Sequence, residues 1–362
     1  MQLLDIVTIL VFSLAVLLTG AALSKSGKDL KGFFGGGGNI PFGMSGLSLF
    51  MGFFSAGTFV VWGSIAYSHG FVAIVIQLTM AVAGFLVGSF IAPRWNRQGC
   101  LTAAEYITTN YGERTQKSYT YLFLAVSIFT SGSFLYPVAK ILEVAAGVPL
   151  TVSIIALGAF CIIYTTLGGL RGVMVTDVLQ FVILFMAVVI AIPLSFGKIG
   201  GVEEFFDKAP QAFFECFNSE YTPWFIFAFC LYNSVFIGGN WSYVQRYTSV
   251  KSPSDAKKVG WLFGSLYLIS PILWMLPPMI YRIYNPGLVG LDNENAYLLM
   301  CKEALPSGFL GLMLGGMVFA TASSLNGTLN ISAGVFTNDF YMSLHPVASD
   351  RCLFTVARIF SV

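Results

Sequence analysis

The sequence predicts an all-helical protein that crosses a membrane many times, and three observations carry that reading. Hydrophobic residues make up 56% of the 362-residue chain and charged residues only 10%, against about 25% charged in a soluble domain. Mean hydropathy is +0.78, so too few polar groups exist to cover a surface facing water. The apolar residues also gather into blocks about 20 residues long, the length a helix needs to cross hydrocarbon.

In chain order the blocks are 3–21, 46–66, 71–93, 118–139, 148–167, 173–197, 221–245, 259–281 and 304–338, and a tenth begins at 352. The first lacks the basic start of a signal peptide and places Asp5 where positive charge would be expected, so it is read as a retained helix. The block 304–338 is too long for one straight span. It projects past the membrane, tilts, or contains an interfacial turn around Pro306 and Ser307. Segments 101–112 and 251–258 read as short amphipathic or capped pieces on the inner face.

Orientation follows the basic residues. With the N-terminus outside, the inner loops hold Lys25, Lys28, Lys31, Arg94, Arg97, Arg114, Lys117, Arg171, Arg246, Lys251, Lys257, Lys258 and Arg351, thirteen of the 19 Lys and Arg. Arg358 lies within the tenth block. A plasma (inner) membrane protein with its N-terminus outside is expected.

The same inventory excludes other classes. Net charge is +2 with no basic run, so no nucleic-acid partner is expected. The six cysteines include no Cys-x-x-Cys pair, and only His69 and His345 accompany them, which argues against structural zinc. Cys216 and Cys301 share the expected outer face, where pairing and free thiols both stay open. The glycines at 35–38 lack the Gly-Lys-Ser/Thr ending of a phosphate loop. No paired carboxylates, Ser–His dyad or His–Glu cluster lies at membrane depth, so no enzyme is expected.

Two charge-free helices carry candidate breaks near their middles: the second, with Gly52, Ser55 and Gly57, and the seventh, with Gly238, Gly239 and Asn240. A broken helix in lipid frees backbone groups that need other partners. Five helices separate the start of one from the start of the other, and that odd number places them in halves of opposite orientation, the arrangement that brings a transport site to the midplane. Close helix packing is the competing reading, and it is preferred for Gly84…Gly88 and Gly311…Gly315. In the ninth helix, Ser323 and Ser324 share a face with Ala320. Neutral hydroxyls and freed carbonyls suit a dehydrated sodium ion, while back-bonding to the preceding turn competes. Apart from Asp5 at the start of the first block, Asp177 is the acid placed within a span, about a turn from the inner end of the sixth helix. It reads either as part of an ion path or as a helix-start anchor near Arg171. Gln77 is the strongly polar side chain in the middle of the third helix, facing either a substrate or a neighbouring helix.

Three stretches resemble a known family. Y-T-T-L-G-G-L-R-G-V-M-V-T-D-V-L-Q-F at 164–181 resembles the signature of the sodium:solute symporter family, which includes sodium–glucose cotransporters. V-Q-R-Y-T-S-V-K-S-P-S-D-A-K-K at 244–258 and S-S-L-N-G-T-L-N-I-S-A-G-V-F-T-N-D-F-Y at 323–341 are similar, in order, to an inner loop and the sodium-site helix of that family. The resemblance implies a LeuT-type fold of two inverted five-helix repeats after one extra helix. A single transmembrane domain over 1–362 would divide into an extra helix and inner loop (1–45), a first repeat (46–197) and a partial second repeat (221–362), whose fourth helix stops at Val362.

It further implies Na+ as coupling ion, bound by the backbone carbonyls of Met51, Phe54 and Ala320 and the hydroxyls of Ser323 and Ser324, with Asp177 on the inner sodium path. Gln77 stands where sugar-transporting members have a substrate-binding carboxylate, Asn240 at a substrate-contact position, and Trp241 and Ser242 nearby as gate residues. Thr58 stands where sugar carriers tend to have Gln, and Phe53 and Gly57 replace bulkier polar types. The expected function is sodium-coupled symport of a small polar solute, a sugar or sugar acid before a carboxylate or amino acid. A proton-coupled carrier and a transporter-like sensor module are the alternatives.

Overall fold

The computed structural model describes residues 2–23, 36–100, 102–341, 352 and 356. Lys25, Lys28, Lys31, Arg351, Arg358 and nearly all of the tenth block lie outside the described residues, as does the side chain of Arg171. The described elements are helices: α1 (Leu3–Leu23), α2 (Phe42–Phe53), α3 (Ala56–His69), α4 (Phe71–Leu86), α5 (Ala92–Gln98), α6 (Ala103–Tyr111), α7 (Glu113–Ala146), α8 (Leu150–Ile199), α9 (Val202–Asp207), α10 (Pro223–Gly239), α11 (Trp241–Thr248), α12 (Pro253–Tyr284), α13 (Ala296–Ala304) and α14 (Phe309–Val335). A π-helical turn, Val87–Ile91, joins α4 to α5, and another, Phe336–Tyr341, continues α14.

Each of the nine complete expected spans is helical over most of its length, the second, seventh and ninth with an interruption. By length and apolarity, Phe71–Gln98, Glu113–Ala146, Gly172–Ile199, Pro253–Tyr284 and Phe309–Val335 can each cross a membrane, and α2 with α3, bent by 59° at their break, is long and apolar enough to do so as a pair. Leu3–Val16, Leu150–Ile162 and Pro223–Gly239 are shorter apolar pieces.

Two boundaries differ from expectation, and a third resolves one of its alternatives. The fifth and sixth spans are not parted by a loop, because helix runs unbroken over the 50 residues Leu150–Ile199, with Pro149 before it and Pro193 as its first internal proline. A straight helix of that length would measure about 75 Å, over twice the hydrocarbon thickness of about 30 Å. Block 304–338 contains the turn foreseen around Pro306 and Ser307: α13 ends at Ala304, and Gly308 takes φ 89° before α14 starts. Segment 251–258 is not a separate surface piece. It is the start of α12, whose N-cap Ser252 accepts from Asp255 N–H at 3.2 Å with Pro253 in the first turn. Segment 101–112 does form a short helix, α6, capped by Thr102.

Small residues set the closest approaches. A Cβ on Gly260 would lie 2.4 Å from Gly88 Cα, and one on Gly84 2.9 Å from Gly264 Cα, so α4 and α12 touch backbone to backbone. Asp5 ties α1 to α14: its Oδ1 accepts from Gly308 N–H at 2.7 Å and Gly311 N–H at 3.1 Å. A Cβ on Gly311 would meet Asp5 O at 2.3 Å. These contacts fulfil the packing reading of both glycine pairs. Cys216 and Cys301 are free thiols, the first exposed and the second buried.

Candidate functional site

Both expected breaks are present. Between α2 and α3 the chain is extended at Phe54 and Ser55. Ser55 restarts the helix as a capping box: its hydroxyl accepts from Gly57 N–H at 3.2 Å, while Thr58 Oγ1 accepts from Ser55 N–H at 3.3 Å. Ala56 N–H donates to Thr321 Oγ1 of α14 at 2.7 Å. Between α10 and α11 the extended residue is Asn240, whose Oδ1 accepts from Ser242 N–H at 2.9 Å and caps α11.

Carbonyls freed at the first break meet α14. Ser324 Oγ lies 3.1 Å from Gly52 O, 3.3 Å from Phe54 O and 3.3 Å from Ala320 O. One hydroxyl thus sits among three carbonyl oxygens at the break, with no charged side chain hydrogen-bonded to it among the described residues. Phe54 N–H occupies one lone pair of Met51 O at 3.1 Å and leaves the other. Ser323 Oγ donates to Asp177 Oδ1, and Ser48 Oγ donates to Asp177 Oδ2 at 2.5 Å. Phe54, Ala320, Ser323 and Ser324 therefore come together as expected, Met51 adjoins them through Phe54, and Gly52 O joins the set. The donors are neutral oxygens backed by one buried carboxylate, which fits a hard monovalent cation.

Asp177 is fully buried, which favours the ion-path reading over an interfacial anchor. Its neighbourhood corrects a second placement. Arg246 was expected in an inner loop, but it is only 2% exposed. It lies on α11, with Nε donating to Ser48 Oγ at 3.3 Å and Nη1 donating to Ser242 O. The short α11 follows a break and turns this side chain inward, whereas arginine near a span's end normally reaches the interface.

The expected solute residues divide between two cavities. Thr58 and Gln77 line one of about 330 Å³, with Trp62, Tyr232, Asn233 and Tyr267 among its other walls. Asn240 and Ser242 line another of about 380 Å³ that Ser323, Ser324 and Arg246 also border. Trp241 lines neither and packs edge-on against Trp95 at 5.7 Å. Aromatic rings stand between the cavities. Phe53 of the first stacks on Tyr243 of the second at 3.9 Å, and Phe236, which borders both, meets these rings at 6.0 and 5.5 Å.

Sequence reasoning missed Ser48, Asn233, Arg246 and Thr321. Asn233 and Thr321 carried the same faint signal as Gln77, a polar side chain within an apolar span. For Arg246 a basic residue near a predicted span end gave no hint of burial.

The sodium:solute symporter family profile matches residues 33–362. The chain belongs to that family. This family member is 28% identical to mouse sodium/glucose cotransporter 1, with 98% of this chain and 60% of the relative covered. It is 28% identical to the sodium/sialic acid symporter SiaT of Proteus mirabilis, over 91% of this chain and 69% of the relative. The sodium/glucose cotransporter of Vibrio parahaemolyticus is also 28% identical, over 99% and 73%. The chain spans about 60% of the length of the mouse cotransporter. A solved substrate-bound, outward-open structure of a Na+-coupled sialic acid symporter superposes with a TM-score of 0.89 at 24% identity, covering 99% of this chain and 79% of that one. The likeness establishes the LeuT-type helical fold. Family relatives are transporters rather than enzymes, in keeping with the absence of catalytic constellations in the sequence.

Proposed function

We propose that this family member carries a small polar solute into the cell together with Na+ by alternating access, in the plasma (inner) membrane with its N-terminus outside. The observation that carries the proposal is the convergence of Gly52, Phe54 and Ala320 carbonyls on Ser324 at the break between α2 and α3. In that orientation the Gln77 cavity lies on the outer side of the Phe53–Tyr243 stack and the Arg246 cavity on the inner side. Na+ would take the carbonyls of Met51, Phe54 and Ala320 and the hydroxyls of Ser323 and Ser324, tying α14 to the break. Because binding free energies couple reciprocally, a solute that prefers the sodium-loaded arrangement must raise sodium affinity by the same factor.

The Gln77 cavity favours an uncharged, hydroxylated solute. Its lining residues include no charged side chain. Thr79 Oγ1 donates its one proton to Ile76 O at 2.6 Å, so it can only accept from Asn233 Nδ2 at 2.9 Å. That fixes the amide and leaves Asn233 Oδ1 free to accept from a solute hydroxyl and one Nδ2–H free to donate, a pairing that suits a hydroxylated solute. Gln77 is 5% exposed, and its amide supplies both a donor and an acceptor. Aromatic rings around these groups match the apolar face of a sugar or cyclic polyol.

The test is thermal stability of the detergent-solubilised protein in NaCl against KCl, with sugars, polyols, sialic acids, carboxylates and amino acids added in turn. A bound ligand raises apparent stability by mass action. A neutral polyol that stabilises only with Na+ supports the full reading, whereas a sugar acid that does so overturns the choice of an uncharged solute alone. Stabilisation by a solute at low pH without Na+ would make the carrier proton-coupled.

A further inference from the structure

Arg246 is among the largest fully enclosed side chains of the molecule, and the transport reading so far gives it no part. A buried guanidinium is expensive unless its charge is answered. Among the described residues no carboxylate lies within ion-pair distance of it, and its Nε–H goes instead to Ser48 Oγ at 3.3 Å. Ser48 has one proton. It lies 2.5 Å from Asp177 Oδ2, and an ionised carboxylate accepts only, so the proton points there and the hydroxyl receives from Arg246. The polarity of the chain is therefore set: cation, hydroxyl, anion.

The second Asp177 oxygen accepts from Ser323, one of the proposed sodium ligands. The network joins four elements: α2 through Ser48, α8 through Asp177, α11 through Arg246 and α14 through Ser323. The Arg246 side chain also borders the cavity shared with Ser323 and Ser324.

We propose that Arg246 is a resident counter-cation that competes with Na+ for the field of Asp177. Relayed through Ser48, it neutralises Asp177 while sodium is away, and it weakens sodium binding when sodium is present. One positive and one negative charge make the empty site neutral. Adding Na+ beside Ser323 makes it net positive in a medium of low dielectric, where charges a few ångströms apart interact strongly. Arg246 thereby sets how tightly sodium is held and promotes its release into the cavity it borders. It is a positioning and tuning residue rather than a ligand, and the proposal rests on the sodium reading above.

The experiment titrates NaCl against KCl at constant ionic strength, reading thermal stability of wild type, Arg246→Gln, Asp177→Asn and the double variant. Arg246→Gln should tighten apparent sodium affinity at least about tenfold, a lower bound for removing one full charge from a poorly screened site. Asp177→Asn, which leaves the arginine unanswered, should weaken it about tenfold. The double variant should bind sodium more tightly than Asp177→Asn alone. A purely structural arginine predicts the opposite sign: Arg246→Gln no tighter than wild type, and a double variant no better than Asp177→Asn. Either result overturns the proposal. If Arg246→Gln alone does not fold, the comparison of Asp177→Asn with the double variant still decides. Should wild type show no sodium stabilisation, the sodium reading itself fails. Should that stabilisation depend on Ser324 but ignore Arg246, only the counter-cation role fails.

Discussion

Thr79 shows how much a residue outside the lining of either cavity can decide. Its hydroxyl proton is committed to Ile76 O, so it can only accept, and it turns the Asn233 amide so that the oxygen is left for the solute. Thr79→Val keeps the shape and removes that acceptor. The expected outcome is a loss of about 1 kcal/mol of solute binding, roughly fivefold, with stabilisation by NaCl alone unchanged; solute titration in saturating NaCl measures it. Gln77→Ala, which removes a group proposed to touch the solute, should weaken the same titration about tenfold or more. At this scale the sequence singled out candidates where a polar residue interrupts an apolar run, as with Gln77, Ser323, Ser324 and Asp177. It was not legible where function depends on which way a side chain turns. Arg246 reads as a loop residue because arginine usually marks a membrane edge, and only the geometry of α11 carries it inward.

The elements were more readable than their joints. Gly52, Ser55 and Gly57 announced the break between α2 and α3, and Gly238, Gly239 and Asn240 the one between α10 and α11. The chain confirms both because Ser55 and Asn240 each supply a cap that restarts the helix. Ser55→Ala should cost about 1 kcal/mol through the lost cap, seen as a lowered melting temperature in KCl. The joint within Leu150–Ile199 was misread because a glycine-containing stretch beside an arginine resembles a turn, yet nothing there forbids helical hydrogen bonding. The glycine pairs test packing directly. Gly88 lies against Gly260 with no room for a side chain, so Gly88→Val should destabilise the protein by about 1–3 kcal/mol as overpacking. Gly132, whose Cβ would meet nothing within 4 Å, should tolerate alanine, and comparing the two melting temperatures checks the contrast.

Across the whole molecule, two cavities lie on either side of an aromatic partition, beside a helix break that gathers oxygens. Such an arrangement suits a carrier that opens to one side at a time, and the Phe53–Tyr243 stack stands between its two cavities. Phe53→Ala should therefore raise downhill solute flux without sodium in proteoliposomes, while leaving the sodium-ligand carbonyls in place. The proposed orientation puts the loop holding Cys216 outside and Cys100 inside, so a membrane-impermeant thiol reagent applied to intact cells should label Cys216 and spare Cys100. Family membership and the arrangement of spans were legible because they rest on ordered motifs and apolar length. The division of Thr58 and Gln77 from Asn240 and Ser242 between two cavities was not, since it depends on how Phe53, Phe236 and Tyr243 pack. The claim on which the transport account turns is that Ser324 and the carbonyls around it bind sodium. The direct measurement is the melting temperature of wild type and of the Ser323→Ala, Ser324→Ala double variant across a NaCl series, with KCl as control. The account predicts a rise with NaCl in wild type that the double variant loses. An equal rise in both, or none in wild type beyond the KCl control, would contradict it.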